Sequence, residues 1–160
     1  MPESGATTVL FLAALFGLLA WCAIEDIRTR TIPHSAILAI VLLYAGHALT
    51  GQTQWVDALI SAALLLAAGF ALFYFRVMGG GDSKLIAAMG LWVGLSHLVA
   101  FLLYTAMAGG VVALAVLLIH RLKVRNSGTV ALEAPTVPYG VAIAVGGIIA
   151  VWQASLREAI

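Results

Sequence analysis

Long apolar runs separated by short polar breaks make up the chain, and the runs are too continuous for a period-2 strand or a one-faced surface helix. The first extends from Thr7 to Ile24. Arg28 and Arg30 follow it, and no Lys or Arg precedes it. A cleaved signal peptide carries its positive charge in front, so this segment reads as a retained span with its N-terminus outside. A second run covers Ser35 to Leu49, after a Pro33 that suits the first turn of a helix. Thr50-Gly51-Gln52-Thr53 breaks it. The third run, Trp55 to Phe75, has Trp55 and Tyr74 near its ends, where interfacial aromatics belong. Arg76 to Lys84 is then a glycine-rich polar break.

Leu85 to His120 is too long for one ordinary span and slightly short for two full ones. A break at Gly94-Leu95-Ser96-His97 divides it into a short fourth helix and a longer fifth. The short fourth fits if the glycine-rich segment before it already dips below the membrane surface. Arg121 to Val137 reads as the longest polar loop, and Pro138 to Ala154 as the sixth helix. Charge supports this count. Loops one, three and five hold Arg28 and Arg30, Arg76 and Lys84, then Arg121, Lys123 and Arg125, which are seven of the eight Lys and Arg. The eighth, Arg157, lies in the C-terminal tail. Six spans with both termini outside put all seven on the cytoplasmic side, as the positive-inside rule requires. Merging helices four and five would throw the Arg121 cluster outside.

Composition agrees. The chain is 63% apolar and 9% charged, against about 25% charged in an ordinary soluble domain, and its mean hydropathy is +1.10. It is an all-α integral membrane protein, expected to form a six-transmembrane-helix bundle. Six spans of roughly 20 residues use most of the 160 available. The expectation is one membrane-embedded domain over 1–160, with no separate soluble domain. Net charge is +1 and no Lys/Arg cluster could track a phosphate backbone, which excludes a nucleic-acid partner. The single cysteine, Cys22, cannot form an internal disulfide.

Three aspartates are candidates for chemistry. Asp57, at the outer end of helix three beside Trp55, reads as an interfacial charge. Asp26 ends helix one and Asp82 opens helix four, both at the cytoplasmic edge, where an ionisable group is either functional or a juxtamembrane charge offset by Arg28, Arg30 and Lys84. Taken together they suggest more. Two carboxylates brought close cannot both ionise cheaply, so one proton is shared between them. The deprotonated member can take a proton from water while the protonated one donates to a peptide carbonyl oxygen, which is the division of labour amide hydrolysis needs. Gly79, Gly80 and Gly81 carry no side chains, so a substrate backbone can approach Asp82 closely; a plain flexible loop is the other reading. No phosphate-loop pattern runs through Gly79 to Lys84.

Asp26-Ile27-Arg28-Thr29-Arg30-Thr31-Ile32-Pro33 resembles the first aspartate motif of the type IV prepilin peptidases. Gly79-Gly80-Gly81-Asp82-Ser83-Lys84-Leu85 resembles their second, the Gly-x-Gly-Asp motif shared with preflagellin peptidases and presenilins. Pro138-Tyr139-Gly140 is similar to the proline–glycine element near the prepilin enzymes' active site. The two aspartate motifs stand 56 residues apart with two spans between them, as in that family.

The resemblance implies an intramembrane aspartic endopeptidase with Asp26 and Asp82 catalytic. Gly79, Gly80, Gly81, Lys84, Pro138, Tyr139 and Gly140 are implied around the substrate. The implied partner is a prepilin, its basic leader peptide in the cytoplasm and its apolar N-terminal helix in the lipid of a bacterial inner membrane. No metal, nucleotide or redox cofactor is implied. The larger bifunctional members carry paired Cys-x-x-Cys motifs and a methyltransferase activity; one cysteine and this length resemble instead the small peptidases of the tight-adherence (Flp-type) pilus systems. His34 stands where the family often has Asn.

Other residues weigh less. Glu25 neighbours Asp26 but points about 100° away on a helix. Lys84 either tunes Asp82 or marks the cytoplasmic surface. His34, His47, His97 and His120 lack metal-ligand spacing. Ser83 and Ser96 lack a serine-nucleophile context, and Ser83 reads as a polar loop group. Cys22 reads as packing, and Ala106, Gly109 and Gly110 as close helix contacts. Two other classes remain open on the residues alone: a non-catalytic subunit of a pilus or secretion machine, and a small proton-coupled carrier. A carrier should show helices broken at the bilayer midplane or repeated halves, and neither is visible.

Overall fold

A computed structural model describes residues 3–51, 54–127 and 136–158. Its regular elements are six helices: α1 (Glu3–Thr29), α2 (His34–Ala48), α3 (Trp55–Tyr74), α4 (Gly80–Val93), α5 (Leu98–Ser127) and α6 (Tyr139–Glu158). The break expected at Gly94–His97 is present, and its cause is local. Gly94 has a φ of +63°, a conformation that glycine adopts at no steric cost.

Several ends differ from the sequence reading. α1 covers Glu3–Thr29 instead of Thr7 to Ile24, α4 begins at Gly80 instead of Leu85, α6 continues past Ala154 to Glu158, and α5 continues past His120 to Ser127. Arg121, Lys123 and Arg125 therefore stand on a helix, not in a loop. Loss of apolar continuity marks where a helix leaves the membrane, whereas Lys and Arg are good helix formers and carry it onward. Residues 128–135 of the expected loop, and Gln52 and Thr53 of the earlier break, lie outside the described residues.

Four helices are long and apolar enough to cross a membrane, over Ala6–Thr29, Trp55–Tyr74, Leu98–Arg125 and Tyr139–Leu156. α2 is a shorter apolar helix of 15 residues, and α4 has 14. At 1.5 Å per residue α4 is about 21 Å long, against roughly 30 Å of hydrocarbon. The expected helix number is met, but only four of the six have the length of a span.

α4 is the central helix, packed against α2, α3 and α6, while α1 lies on α2 and α6 and α5 rides mainly on α6. Leu15, Leu19, Ile40, Leu85, Met89, Phe101 and Ile143 fill the core and are fully buried. Leu64, Phe70, Val111 and Leu118 face outward from α3 and α5. In a bilayer, lipid is as apolar as these side chains, so association depends on close packing of small residues. The contacts show this. A Cβ on Gly90 would come 2.7 Å from the Ala62 Cα, and one on Gly147 2.7 Å from the Met89 Cε. At Gly146 a Cβ would collide with Thr105, so α6 lies directly against α5 there. The small residues singled out on α5 share this role only in part. Gly109 faces Ala142, whereas Ala106 and Gly110 are exposed.

Candidate active site

Asp26 and Asp82 arrive at the same end of the bundle on different helices. Asp26 lies in the last turn of α1, and Asp82 is the third residue of α4. Beyond α1, the Arg30 N–H donates to the Asp26 carbonyl at 3.1 Å, and Arg30 takes a left-handed φ of 57°. Such a residue after a helix turns the chain sharply, and here the turn leads into Ile32. The Ile32 side chain is buried between two other helix starts: a Cβ on Gly81 would lie 3.2 Å from its Cβ, and one on Gly140 3.0 Å from its Cδ1. Gly140 also faces Asp26, since its Cβ would stand 2.9 Å from Oδ2. The α1–α2 connection, α4 and α6 therefore meet around Asp26.

Asp82 is held by the opening turn of α4. Gly79 is the N-cap in extended conformation, with no side chain to cap the helix. Its N–H donates to the Asp82 carboxylate, which is half of a capping box. A Cβ on Gly79 would sit 2.9 Å from Asp82 Oδ2, so only glycine lets the carboxylate fold back this far. Gly80 packs under the Phe73 ring, with 3.3 Å between a built Cβ and Cε2. The sequence reading gave the space over these glycines to a substrate backbone. In the structure Asp82, Phe73 and Ile32 each occupy part of it, and Gly79 remains exposed.

Asp26 is 5% exposed, and its Oδ2 has no hydrogen-bond partner among the described residues. A buried carboxylate oxygen left unpaired is costly. Its charge acts on Asp82 at the start of α4, so the two carboxylates form an electrostatic pair. Lys84 lies two residues beyond Asp82, about 200° around the helix. Its Nζ is 3.0 Å from His34 Nε2 on α2. An ammonium only donates, so the imidazole accepts. Pro138 is buried just before α6, and Tyr139 is 39% exposed.

Three residues have roles that their local sequence did not signal. Ile32 was legible as part of a motif but not as a wedge. Ser83 is no loop group: it is buried in α4, with Oγ 2.9 Å from the Gly69 carbonyl and 3.0 Å from the Gly79 carbonyl. Asp57 is more than an interfacial charge, because its Oδ2 accepts from the Leu95 N–H at 2.9 Å in the turn after α4. That turn is at the far end of the bundle. Two cavities of about 410 and 230 Å³ open at that end, and neither aspartate of the pair lines them.

The chain matches the type IV leader peptidase family over residues 13–114, a segment that contains both aspartates and ends before Pro138. It is 30% identical over 150 residues to a prepilin leader peptidase/N-methyltransferase of Bacillus subtilis (strain 168), covering 91% of this chain and 57% of that protein. It is 32% identical over 155 residues to the protein of the same description from Legionella pneumophila, covering 86% of this chain and 50% of that one. The chain thus spans about half the length of the curated relatives it matches. No solved structure matches it. With nearly two thirds of its length matched and four of its described helices long and apolar enough to cross a membrane, the chain belongs to the type IV leader peptidase family, a family of peptidases.

Proposed function

We propose that the protein is an intramembrane aspartic endopeptidase that removes the basic leader peptide from type IV prepilins of the Flp-like kind. Asp26 carries this reading. It is buried, its Oδ2 has no hydrogen-bond partner among the described residues, and its charge acts on Asp82. A water or a scissile amide placed there relieves the unpaired oxygen and meets the reacting pair at once. One carboxylate takes a proton from water as the water oxygen bonds to the carbonyl carbon. The other, protonated, donates to the carbonyl oxygen. The tetrahedral species collapses as the C–N bond breaks and the leaving nitrogen gains a proton, giving a carboxyl and an amine terminus.

Six spans, both termini outside, put this end of the bundle at the cytoplasmic face of a bacterial inner membrane. Seven of the eight basic residues belong to that end. In this arrangement the short α4 begins below the membrane surface, so Asp82 lies at the depth where a basic leader joins an apolar helix. Gly79 and Tyr139 are exposed to an incoming chain at the two helix starts, while Gly80, Gly81 and Gly140 pack against Phe73, Ile32 and Asp26. The proposed activity is leader-peptide cleavage alone, the activity for which the matched family is named, and not methyl transfer.

The test is direct. Purified protein in lipid should cut a synthetic prepilin once, between leader and apolar helix, as read by mass spectrometry. An intact substrate after prolonged incubation with folded protein would refute the reading.

A further inference from the structure

We infer that Ser83 is a positioning residue for Asp82, acting through a hydrogen bond from its buried hydroxyl to the backbone of α3 at Gly69. The inference rests on the reading of Asp82 as catalytic. Its physical basis begins with the residues before Asp82. Gly79, Gly80 and Gly81 leave the start of α4 without side chains, and glycine is the least conformationally restrained residue. Packing from Phe73 and Ile32 blocks movement toward them but is not directional. The Gly79 N–H bond to the Asp82 carboxylate stays within the same turn, so the first directional restraint that ties this turn to another helix is the Ser83 hydroxyl.

Ser83 Oγ lies 2.9 Å from the Gly69 carbonyl and 3.0 Å from that of Gly79. The hydroxyl has one proton to share between these two carbonyls, and the Gly79 contact is the ordinary one of a helical serine to the carbonyl four residues back. The Gly69 contact is different, because it joins two helices. It exists because the helices nearly touch there: a Cβ on Gly69 would lie 3.2 Å from the Ser83 Cα, Cβ and carbonyl oxygen. At 5% exposure the hydroxyl has no access to competing water. Farther along the same seam Gly90 packs closely on the backbone of Ser61 and Ala62, a contact of shape that sets distance rather than rotation. Fixing Ser83 to α3 fixes the rotation of the turn carrying Asp82, and with it the approach of that carboxylate to Asp26.

The experiment compares wild type, Ser83→Ala, Gly69→Ala and the double variant in lipid, with Gly17→Ala as a control. A Cβ at Gly17 meets nothing within 4 Å. Activity per folded molecule is measured on a synthetic prepilin, and hydrogen exchange is followed in peptides over 79–85 and 86–93. Ser83→Ala should lower kcat by about tenfold to a hundredfold, the scale of a small misplacement of a reacting group, and leave KM within about twofold. Exchange over 79–85 should quicken by roughly tenfold, with 86–93 unchanged. Gly69→Ala should act alike and add little in the double variant, since both disturb one contact. An unchanged kcat for Ser83→Ala, a rise in KM alone, or a loss confined to the yield of folded protein would each overturn the inference. If wild type cuts nothing, the peptidase reading fails instead; unchanged exchange over 79–85 would then still overturn the restraint assigned to Ser83.

Discussion

Gly140 leaves Asp26 its position: a methyl group added to Gly140 would stand 2.9 Å from the Asp26 Oδ2 and 3.0 Å from its Cγ. Ile32 closes the third side, with its Cδ1 3.0 Å from the same methyl. A side chain at 140 has no free direction, because one neighbour is a carboxylate and the other is wedged against Gly81. Gly140→Ala should therefore displace the Asp26 carboxylate and lower prepilin cleavage by at least about tenfold. The protein should still insert, since α6 keeps its other contacts. Cleavage at the wild-type rate would show that Asp26 tolerates the shift.

Asp26→Asn and Asp82→Asn should each abolish cleavage while leaving the protein inserted and abundant. Asn keeps the size of the side chain but cannot exchange the proton. In the proposed mechanism the carboxylates act as a unit, so the double variant should be scarcely worse than either single one. Glu25→Gln should retain most activity, and chelators should have no effect on a water activated by carboxylates. Substantial turnover by either single Asn variant at normal protein levels would remove the pair from the mechanism.

Asp57 makes a prediction about stability. Its Oδ2 accepts from the Leu95 N–H, and at Gly94 a Cβ would come within 2.5 Å of that oxygen. Asp57→Ala strands a backbone donor and should cost about 1–3 kcal/mol, whereas Asp57→Asn keeps an acceptor and should cost less. Thermal unfolding in detergent, monitored by circular dichroism, distinguishes the two. Equal losses would mean that charge, and not the hydrogen bond, holds the turn.

Orientation is tested by chemical labelling. Single cysteines at Thr50 and at Ser127, in a Cys22→Ala background, should react with an impermeant thiol reagent from opposite sides of the membrane. Labelling of both from the periplasm would remove the six-span arrangement and the cytoplasmic site together.

How far these features were legible depends on how local their causes are. The break between α4 and α5 could be read because Gly94 needs a positive φ and the polar Ser96 and His97 follow it. Asp26 and Asp82 stood out because a carboxylate beside an apolar run is costly and therefore informative. The end of α5 was missed because basic residues stop a hydropathy pattern without stopping a helix. Ser83, Ile32 and the Lys84–His34 contact were missed for a different reason. Their partners lie 14 to 108 residues away in sequence, at Gly69, Gly140 and His34, and no local pattern encodes such a pairing.

The wedge at Ile32 has a consequence for the order in which the protein is made. Its two walls, Gly81 and Gly140, belong to helices inserted at different times, and the second opens the last helix described. While the ribosome is still working, Asp26 and Asp82 already exist, but Asp26 lacks the wall that Gly140 supplies. Synthesis from N- to C-terminus thus delays the finished constellation until α6 docks. A nascent or truncated chain would hold both carboxylates without the enclosure that Gly140 and Ile32 complete around Asp26.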